Sequence, residues 1–280
     1  MFKFNFFEDS SACNKNEEKP NCKECEELHV NNFKLPPEYP ISILKINDKP
    51  NEILIKHVAH DDVINYIKKQ GNSDTNLFEA EEQHSDLLSG VYEGGLKVWE
   101  CTFDLVNFLI EKDINFMSKK VLDLGCGVGI VGIWAILKGA TVVFQDYNSE
   151  VLKYATIPNV SLNVDSQFLN TTSNCKAKFI SGDWTSFVDH FAKENEKFDY
   201  ILTSETIYNR DNYEKLHKVF KDTLKGDGYV YVAAKSYYFG LGGGVHDFIE
   251  FINSQNVFCI QRCWESNSGV KREIILLKFK

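Results

Sequence analysis

Two carboxylates and a set of alternating glycines are the residues of this chain best spaced for chemistry. The run Val121-Leu122-Asp123-Leu124-Gly125-Cys126-Gly127-Val128-Gly129-Ile130-Val131-Gly132 reads as an apolar strand carrying an acid, a turn on glycines, and the start of an apolar helix. Glycines at 125, 127 and 129 bend the backbone sharply and let a ligand approach it, because no Cβ intervenes. A second strand, Thr141-Val142-Val143-Phe144-Gln145, ends in Asp146. That places a carboxylate where a ribose diol sits in an open α/β nucleotide-binding fold. The chemistry to expect is the binding of a nucleoside-containing cofactor.

Gly127, Gly129 and Gly132 also spell G-x-G-x-x-G, the dinucleotide fingerprint, a weak signal when it stands alone. A pyrophosphate at such a turn favours bare amides and a helix N-terminus with no anion beside it. Asp123 suits a cation instead, such as the α-ammonium of S-adenosyl-L-methionine. A dinucleotide, or a structural turn with no ligand, stays open as the alternative. D-x-G-x-G-x-G followed by an acid closing the next strand resembles the seven-strand methyltransferase class. No metal is expected. Among eight cysteines, Cys22-Lys23-Glu24-Cys25 is the lone C-x-x-C, and Cys259 and Cys263 lie four apart on an expected strand. A four-cysteine zinc site pairs two such motifs, so reduced thiols in a reducing compartment are the plainer reading.

The elements that must position these residues alternate after residue 120, which argues for a parallel sheet covered by helices. The patterning predicts strands at 120–124, 141–145, 177–181, 198–203, 228–234, 256–263 and 271–279, and helices at 129–138, 148–155, 184–193, 211–223 and 245–253. The last two strands follow one another without a helix. The expected fold is α/β, a three-layer, seven-strand, Rossmann-like methyltransferase sheet with an N-terminal extension. Residues 1–83 form that extension and 84–280 the catalytic domain. Within the extension, Ile41 to Ile55 suggests one or two short strands and Asp61 to Lys69 a short helix. Phe103, Val106 and Ile110 share a helix face after Trp99, and Ser166 to Cys175 reads as a polar surface insertion.

Three motifs fall at the carboxyl ends of strands, where such a fold builds its sites. Asp183 would hydrogen-bond an adenine amino group with Trp184 stacked on the ring, or it is an N-cap beside a core tryptophan. Ser204-Glu205-Thr206-Ile207-Tyr208-Asn209 follows the fourth strand, where methyl-transfer sites in this fold are built. The fifth runs into Lys235-Ser236-Tyr237-Tyr238-Phe239-Gly240-Leu241-Gly242-Gly243-Gly244-Val245-His246, whose glycines suggest close approach to a ligand or a hinge.

Hydrophobic residues make up 43% of the 280, enough for a substantial core, yet no apolar run reaches the ~18–20 residues of a membrane span. The N-terminus is apolar only briefly and then acidic, a poor secretion signal. A cytoplasmic or nuclear monomer without membrane attachment is expected. A net charge of −9 argues against a broad nucleic-acid footprint and suits a basic protein substrate, although ordinary solubility explains the charge equally.

Five segments together resemble the histidine protein methyltransferase family: Trp99-Glu100-Cys101-Thr102-Phe103-Asp104-Leu105, Gln145-Asp146-Tyr147-Asn148, Gly182-Asp183-Trp184, Thr203 to Tyr208, and Tyr238 to His246. The resemblance spans about residues 84–280, and the family it points to belongs to a branch of seven-strand enzymes whose other members modify protein lysines. It implies S-adenosyl-L-methionine-dependent N-methylation of a protein histidine, with a histidine of a large-subunit ribosomal protein as substrate and the distal ring nitrogen as acceptor. It implies cofactor roles for Trp99, Glu100, Cys101, Thr102, Gly125, Gln145, Asp146, Tyr147, Asp183, Trp184 and Ser204. Asp123, Gly127 and Gly129 join that set from the turn itself. Val128 departs from the small polar residue of many relatives, but it faces the turn.

Imidazole, with a pKa near ~6.5, is mostly neutral at physiological pH and already offers a lone pair, whereas lysine, near ~10.4, must first lose a proton. A histidine enzyme therefore needs alignment and an acceptor for the second ring N–H more than a strong base. Glu205 is the first candidate for that acceptor, with Tyr208, Asn209 and His246 as further catalytic candidates. Glu205 fixing the loop after the fourth strand stays open. A lysine methyltransferase of the same branch is the alternative, although relatives of that kind usually open the Ser204-Glu205 motif with Asp. A non-catalytic ribosome-assembly partner is a third reading, disfavoured by the intact Asp123, glycine turn and Asp146.

Overall fold

The computed structural model describes residues 23–30, 40–48, 51–69, 88, 90–169, 175–194 and 196–280. Cys22, residues 170–174 of the expected 166–175 insertion and much of the N-terminal extension lie outside the described residues.

The described chain opens with β1 (Glu26–Leu28), the hairpin β2 (Ile41–Asp48) and β3 (Asn51–Val58), and α1 (His60–Lys69). Next come α2 (Glu100–Glu111), β4 (Lys120–Leu124), α3 (Ile130–Leu137) and β5 (Thr141–Asp146). A short helix α4 (Ser149–Val151) passes through a π-helical turn (Leu152–Thr156) into α5 (Ile157–Asn163). The remainder is β6 (Ala177–Ser181), α6 (Trp184–Glu194), β7 (Phe198–Ser204), a 3₁₀ turn (Arg210–Asn212), α7 (Tyr213–Thr223), β8 (Leu224–Lys235), α8 (Val245–Gln255), β9 (Phe258–Glu265) and β10 (Arg272–Phe279).

The main sheet runs β1-β6-β5-β4-β7-β8-β10-β9. Strands β6, β5, β4, β7 and β8 are parallel neighbours, and β10 is inserted antiparallel between β8 and β9. The seven expected strands are all present. An eighth was not foreseen: β1 pairs antiparallel with β6, Glu26 opposite Ser181. A three-residue strand gives no periodic signal, and its partner lies far along the chain.

Strand order reverses between β4 and β7. In open α/β sheets that switch point opens a crevice beyond the carboxyl ends of the two strands. Successive residues of β4 serve opposite layers, as the period of two requires. Val121 joins the core beneath α2, α3 and α5, while Leu122 and Leu124 join the core beneath α6, α7 and α8. Helix α3 is apolar on every face and almost wholly buried, with Trp134 edge-on to Phe116 at 5.2 Å. The first core also holds Ile46, Ile55, Val58, Val63 and Ile67 from β2, β3 and α1. Before position 84, β1 thus belongs to the main sheet, while β2 and β3 form a two-stranded sheet of their own that packs with α1 into the same core. Among the described residues no helix is long and apolar enough to cross a membrane.

Candidate active site

The glycine turn joins β4 to α3 at the switch point. Gly125 and Gly127 have φ of +64° and +51°, left-handed backbone that a side chain strains. A Cβ on Gly125 would lie 2.6 Å from Thr206 Cγ2, and one on Gly127 would lie 2.8 Å from the Gly95 carbonyl oxygen. The turn is therefore pressed between the loop after β7 and the Glu93-Gly94-Gly95 loop. Thr156, delivered by the π-helical turn, donates to the Gly127 carbonyl at 2.6 Å, and Asn159 donates to that of Val128 at 2.9 Å.

Both acids are buried here. Asp123 Oδ2 accepts the Gly132 N–H at 2.8 Å, serving as a cap for the third residue of α3 from the adjacent strand. Burial pushes its carboxyl up to about 8. Asp146 Oδ2 accepts the Gly127 N–H at 2.9 Å and Oδ1 the Asn148 N–H at 3.0 Å, while burial raises it to about 6. Gln145, fully buried, donates to the Gly182 carbonyl at 2.9 Å and accepts from Trp184 Nε1 at 2.9 Å. Asp183 caps α6 by accepting the Thr185 N–H at 2.8 Å and pairs with Lys215 at 2.7 Å. Tyr147 donates to the Gly90 carbonyl at 2.9 Å.

On the opposite bank, Trp99 precedes α2 and donates from Nε1 to the Gly94 carbonyl at 3.0 Å. Thr102 and Ser204 hydroxyls meet at 3.1 Å. Cys101 is buried against Glu205, and burial with that neighbouring carboxylate pushes its thiol upward. Glu100 projects into solvent, with Lys235 Nζ 4.0 Å from its carboxylate.

A pocket of about 300 Å³ is lined by Glu93, Trp99, Glu205, Tyr208, Lys235 and Tyr238, with Tyr237, Phe239, Leu241 and Val270 along its wall; its lining includes Trp99 from the second bank and no residue of the glycine turn or its two acids. Glu205 has φ +59°, a left-handed conformation rare for a residue with a side chain and typical of functional loops. Its N–H donates to the Ala233 carbonyl at 2.9 Å. The Tyr238 hydroxyl donates to Oε2. Oε1 is buried and receives no hydrogen bond from the described residues, with Lys235 Nζ 3.8 Å away. A second acid–phenol pair faces it, the Tyr208 hydroxyl donating to Glu93, whose carboxyl burial pushes upward. Burial and the adjacent Glu205 likewise raise the Tyr238 phenol.

The structure thus brings Glu205 and Tyr208 together and leaves two catalytic candidates elsewhere. Asn209 lies outside the pocket lining, and its side-chain oxygen caps the 3₁₀ turn by accepting the Asp211 N–H at 2.9 Å. His246 sits in the first turn of α8, 71% exposed, 3.3 Å from Glu250 Oε1. The glycine loop before it closes on protein backbone: a Cβ on Gly243 would lie 2.3 Å from the Ile207 carbonyl oxygen. The loop lines the pocket as far as Leu241, and His246 beyond that contact lies outside the lining. Glu93 and Lys235 were not singled out from sequence. The Gly94-Gly95 pair after Glu93 and the position of Lys235 at the carboxyl end of β8 were the available signals.

A family model described as lysine methyltransferase matches residues 63–252. The chain is 46% identical over 217 residues to a protein of Bos taurus named histidine protein methyltransferase 1 homolog, covering 70% of this chain and 58% of that one. It is 45% identical over 193 residues to the Dictyostelium discoideum protein of the same name, covering 68% and 60%. The chain therefore spans 58–60% of the length of these curated relatives. A TehB-like SAM-dependent methyltransferase from Corynebacterium glutamicum aligns with a TM-score of 0.47 at 17% identity, over 79% of this chain and 99% of that one.

Proposed function

The chain belongs to the family described as lysine methyltransferase and groups there with the histidine protein methyltransferases, and from that premise we propose that it methylates a histidine ring nitrogen in proteins, with S-adenosyl-L-methionine as methyl donor. When bound, that cofactor supplies an electrophilic methyl group on a sulfonium. The residues present suit it: glycine backbone at 125 and 127, an acid closing β5, and hydroxyls of Thr102 and Ser204 on the facing bank.

One observation carries the histidine reading, the Glu205 Oε1 that is buried and takes no hydrogen bond from the described residues. A buried acceptor without a donor is costly and calls for one. A neutral imidazole supplies it through one ring N–H while its other nitrogen faces the methyl group. Tyr238 fixes the carboxylate from Oε2, so Oε1 keeps a set direction. With the cofactor bound, Glu205 would hold the ring so that the lone pair of its free nitrogen is aligned with the sulfonium methyl. Positive charge develops on the ring, and Glu205 stabilises it before the ring proton is released.

By resemblance to the family, the substrate assigned is a histidine of a large-subunit ribosomal protein. A basic partner of that kind suits the net charge of −9. The proposal includes action as a monomer in the cytoplasm or nucleus, without direct nucleic-acid contact. Incubation with methyl-labelled S-adenosyl-L-methionine and cell extract, followed by hydrolysis to amino acids, tests it. Labelled methyl-histidine is the expected product, and methyl-lysine without methyl-histidine would overturn the reading.

A further inference from the structure

The pocket already contains an ammonium. Lys235 is the last residue of β8, its side chain 20% exposed, and the strand aims its Nζ inward. Nζ lies 3.8 Å from Glu205 Oε1 and 4.0 Å from Glu100 Oε2. It also stands over two aromatic faces, 5.3 Å from the Trp99 ring centre and 5.7 Å from that of Tyr238. A carboxylate with aromatic faces within ~6 Å is the chemistry that recognises an alkylammonium.

We infer that Lys235 is a resident ammonium that fills the cation site a lysine substrate would need, restricting the pocket to a neutral ring. This rests on the reading that the pocket takes the methyl acceptor. A lysine side chain entering as its ammonium finds Trp99, Tyr238 and Glu205 already engaged, and meets a like charge at short range. A neutral imidazole meets neither obstacle. At 3.8 Å, Lys235 pairs with Glu205 by charge but leaves Oε1 without a hydrogen bond, so the lone pair stays open to a ring N–H. Selection works by exclusion of the competitor as much as by attraction of the substrate.

Removing the side chain beyond Cβ leaves a space that n-propylammonium matches atom for atom. In Lys235→Ala, calorimetric titration with n-propylammonium chloride should give a dissociation constant at least about tenfold tighter than in the wild type or Lys235→Arg, with n-propanol as the uncharged control. Equal affinity across the three proteins would overturn the inference. Loss of the cation beside Glu205 threatens folding, so Lys235→Met, which keeps the apolar stem, carries a second readout. Its ratio of methyl-lysine to methyl-histidine, from labelled cofactor and cell extract, should rise at least about tenfold over wild type, and an unchanged ratio overturns the inference. Wild-type protein yielding methyl-lysine alone would instead overturn the histidine reading, so the two failures are told apart.

Discussion

Asp123→Asn isolates what a buried acid at the glycine turn costs and what it supplies. Asp123 is 3% exposed, and burial carries its carboxyl from an ordinary 3.8 to about 8. The unfolded chain gives up this proton near its ordinary value, whereas the folded protein keeps it until about pH 8. The folded state therefore binds more protons, and stability falls as pH climbs from about 4 to about 8, then levels off. Between pH 5 and pH 8 that is about three pH units at ~1.4 kcal/mol each, a ceiling of about 4 kcal/mol. Relaxation around the turn brings the expected change to about 2–4 kcal/mol. Asparagine keeps a carbonyl for the Gly132 N–H and has no charge to desolvate, so its profile lacks this slope. Asp146, raised to about 6, tilts both proteins in the same direction, and its charge adds to the upward push on Asp123. Urea unfolding of cofactor-free protein at pH 5 and pH 8.5 reads the effect directly. Parallel profiles within ~0.5 kcal/mol would refute the argument. The same variant should bind S-adenosyl-L-methionine about tenfold more weakly, because an ammonium brought beside the Asp123 carboxyl favours its ionised form, which asparagine cannot adopt. Unchanged affinity would leave Asp123 as a cap alone.

Glu205→Gln should keep cofactor affinity and lower the single-turnover rate on a histidine-bearing protein by ~10²–10³-fold; wild-type turnover would remove Glu205 from the chemistry. Asp146→Ala should weaken cofactor binding by roughly 1–3 kcal/mol, read by titration calorimetry, and an unaltered dissociation constant would detach this acid from the ribose. Gly132→Ala should destabilise the fold by about 1–3 kcal/mol, because the new Cβ would fall 2.3 Å from Phe144 Cε1. Denaturation of the double variant with Phe144→Leu should recover part of that loss, and strict additivity would contradict a steric cause.

Much of this architecture was legible because its signals are local. Glycines beside apolar runs marked the turn after β4, and period-two strands between amphipathic helices located the other elements to within a few residues. The candidate site was less legible, since its partners meet across long stretches of chain. Glu93 reaches Tyr208 and Lys235 reaches Trp99 only once the sheet has assembled. His246 misled because three glycines before it suggested a ligand, whereas Gly243 packs against Ile207 and Tyr208 and Gly244 against Ser236. The π-helical turn that delivers Thr156 leaves no mark in hydrophobic spacing, which a regular helix over 148–155 satisfies equally well.

The edge strand β1 has a temporal consequence. Lys23 accepts the Asp183 N–H at 3.0 Å through its carbonyl, its ammonium stands 5.0 Å over the Tyr147 ring, and Glu26 pairs with Ser181 across 155 positions. A chain emerging at ~5–20 residues per second holds this segment without its partner for about 10–30 s of synthesis. The hairpin, α1 and the glycine turn can gather around their own core in that interval, but the loop bearing Asp183 and Trp184 cannot be fastened until β6 returns beside the earliest strand. Closure of this edge of the main sheet is therefore a late event in the life of each nascent chain, set by the longest loop closure in the sheet rather than by the glycine turn.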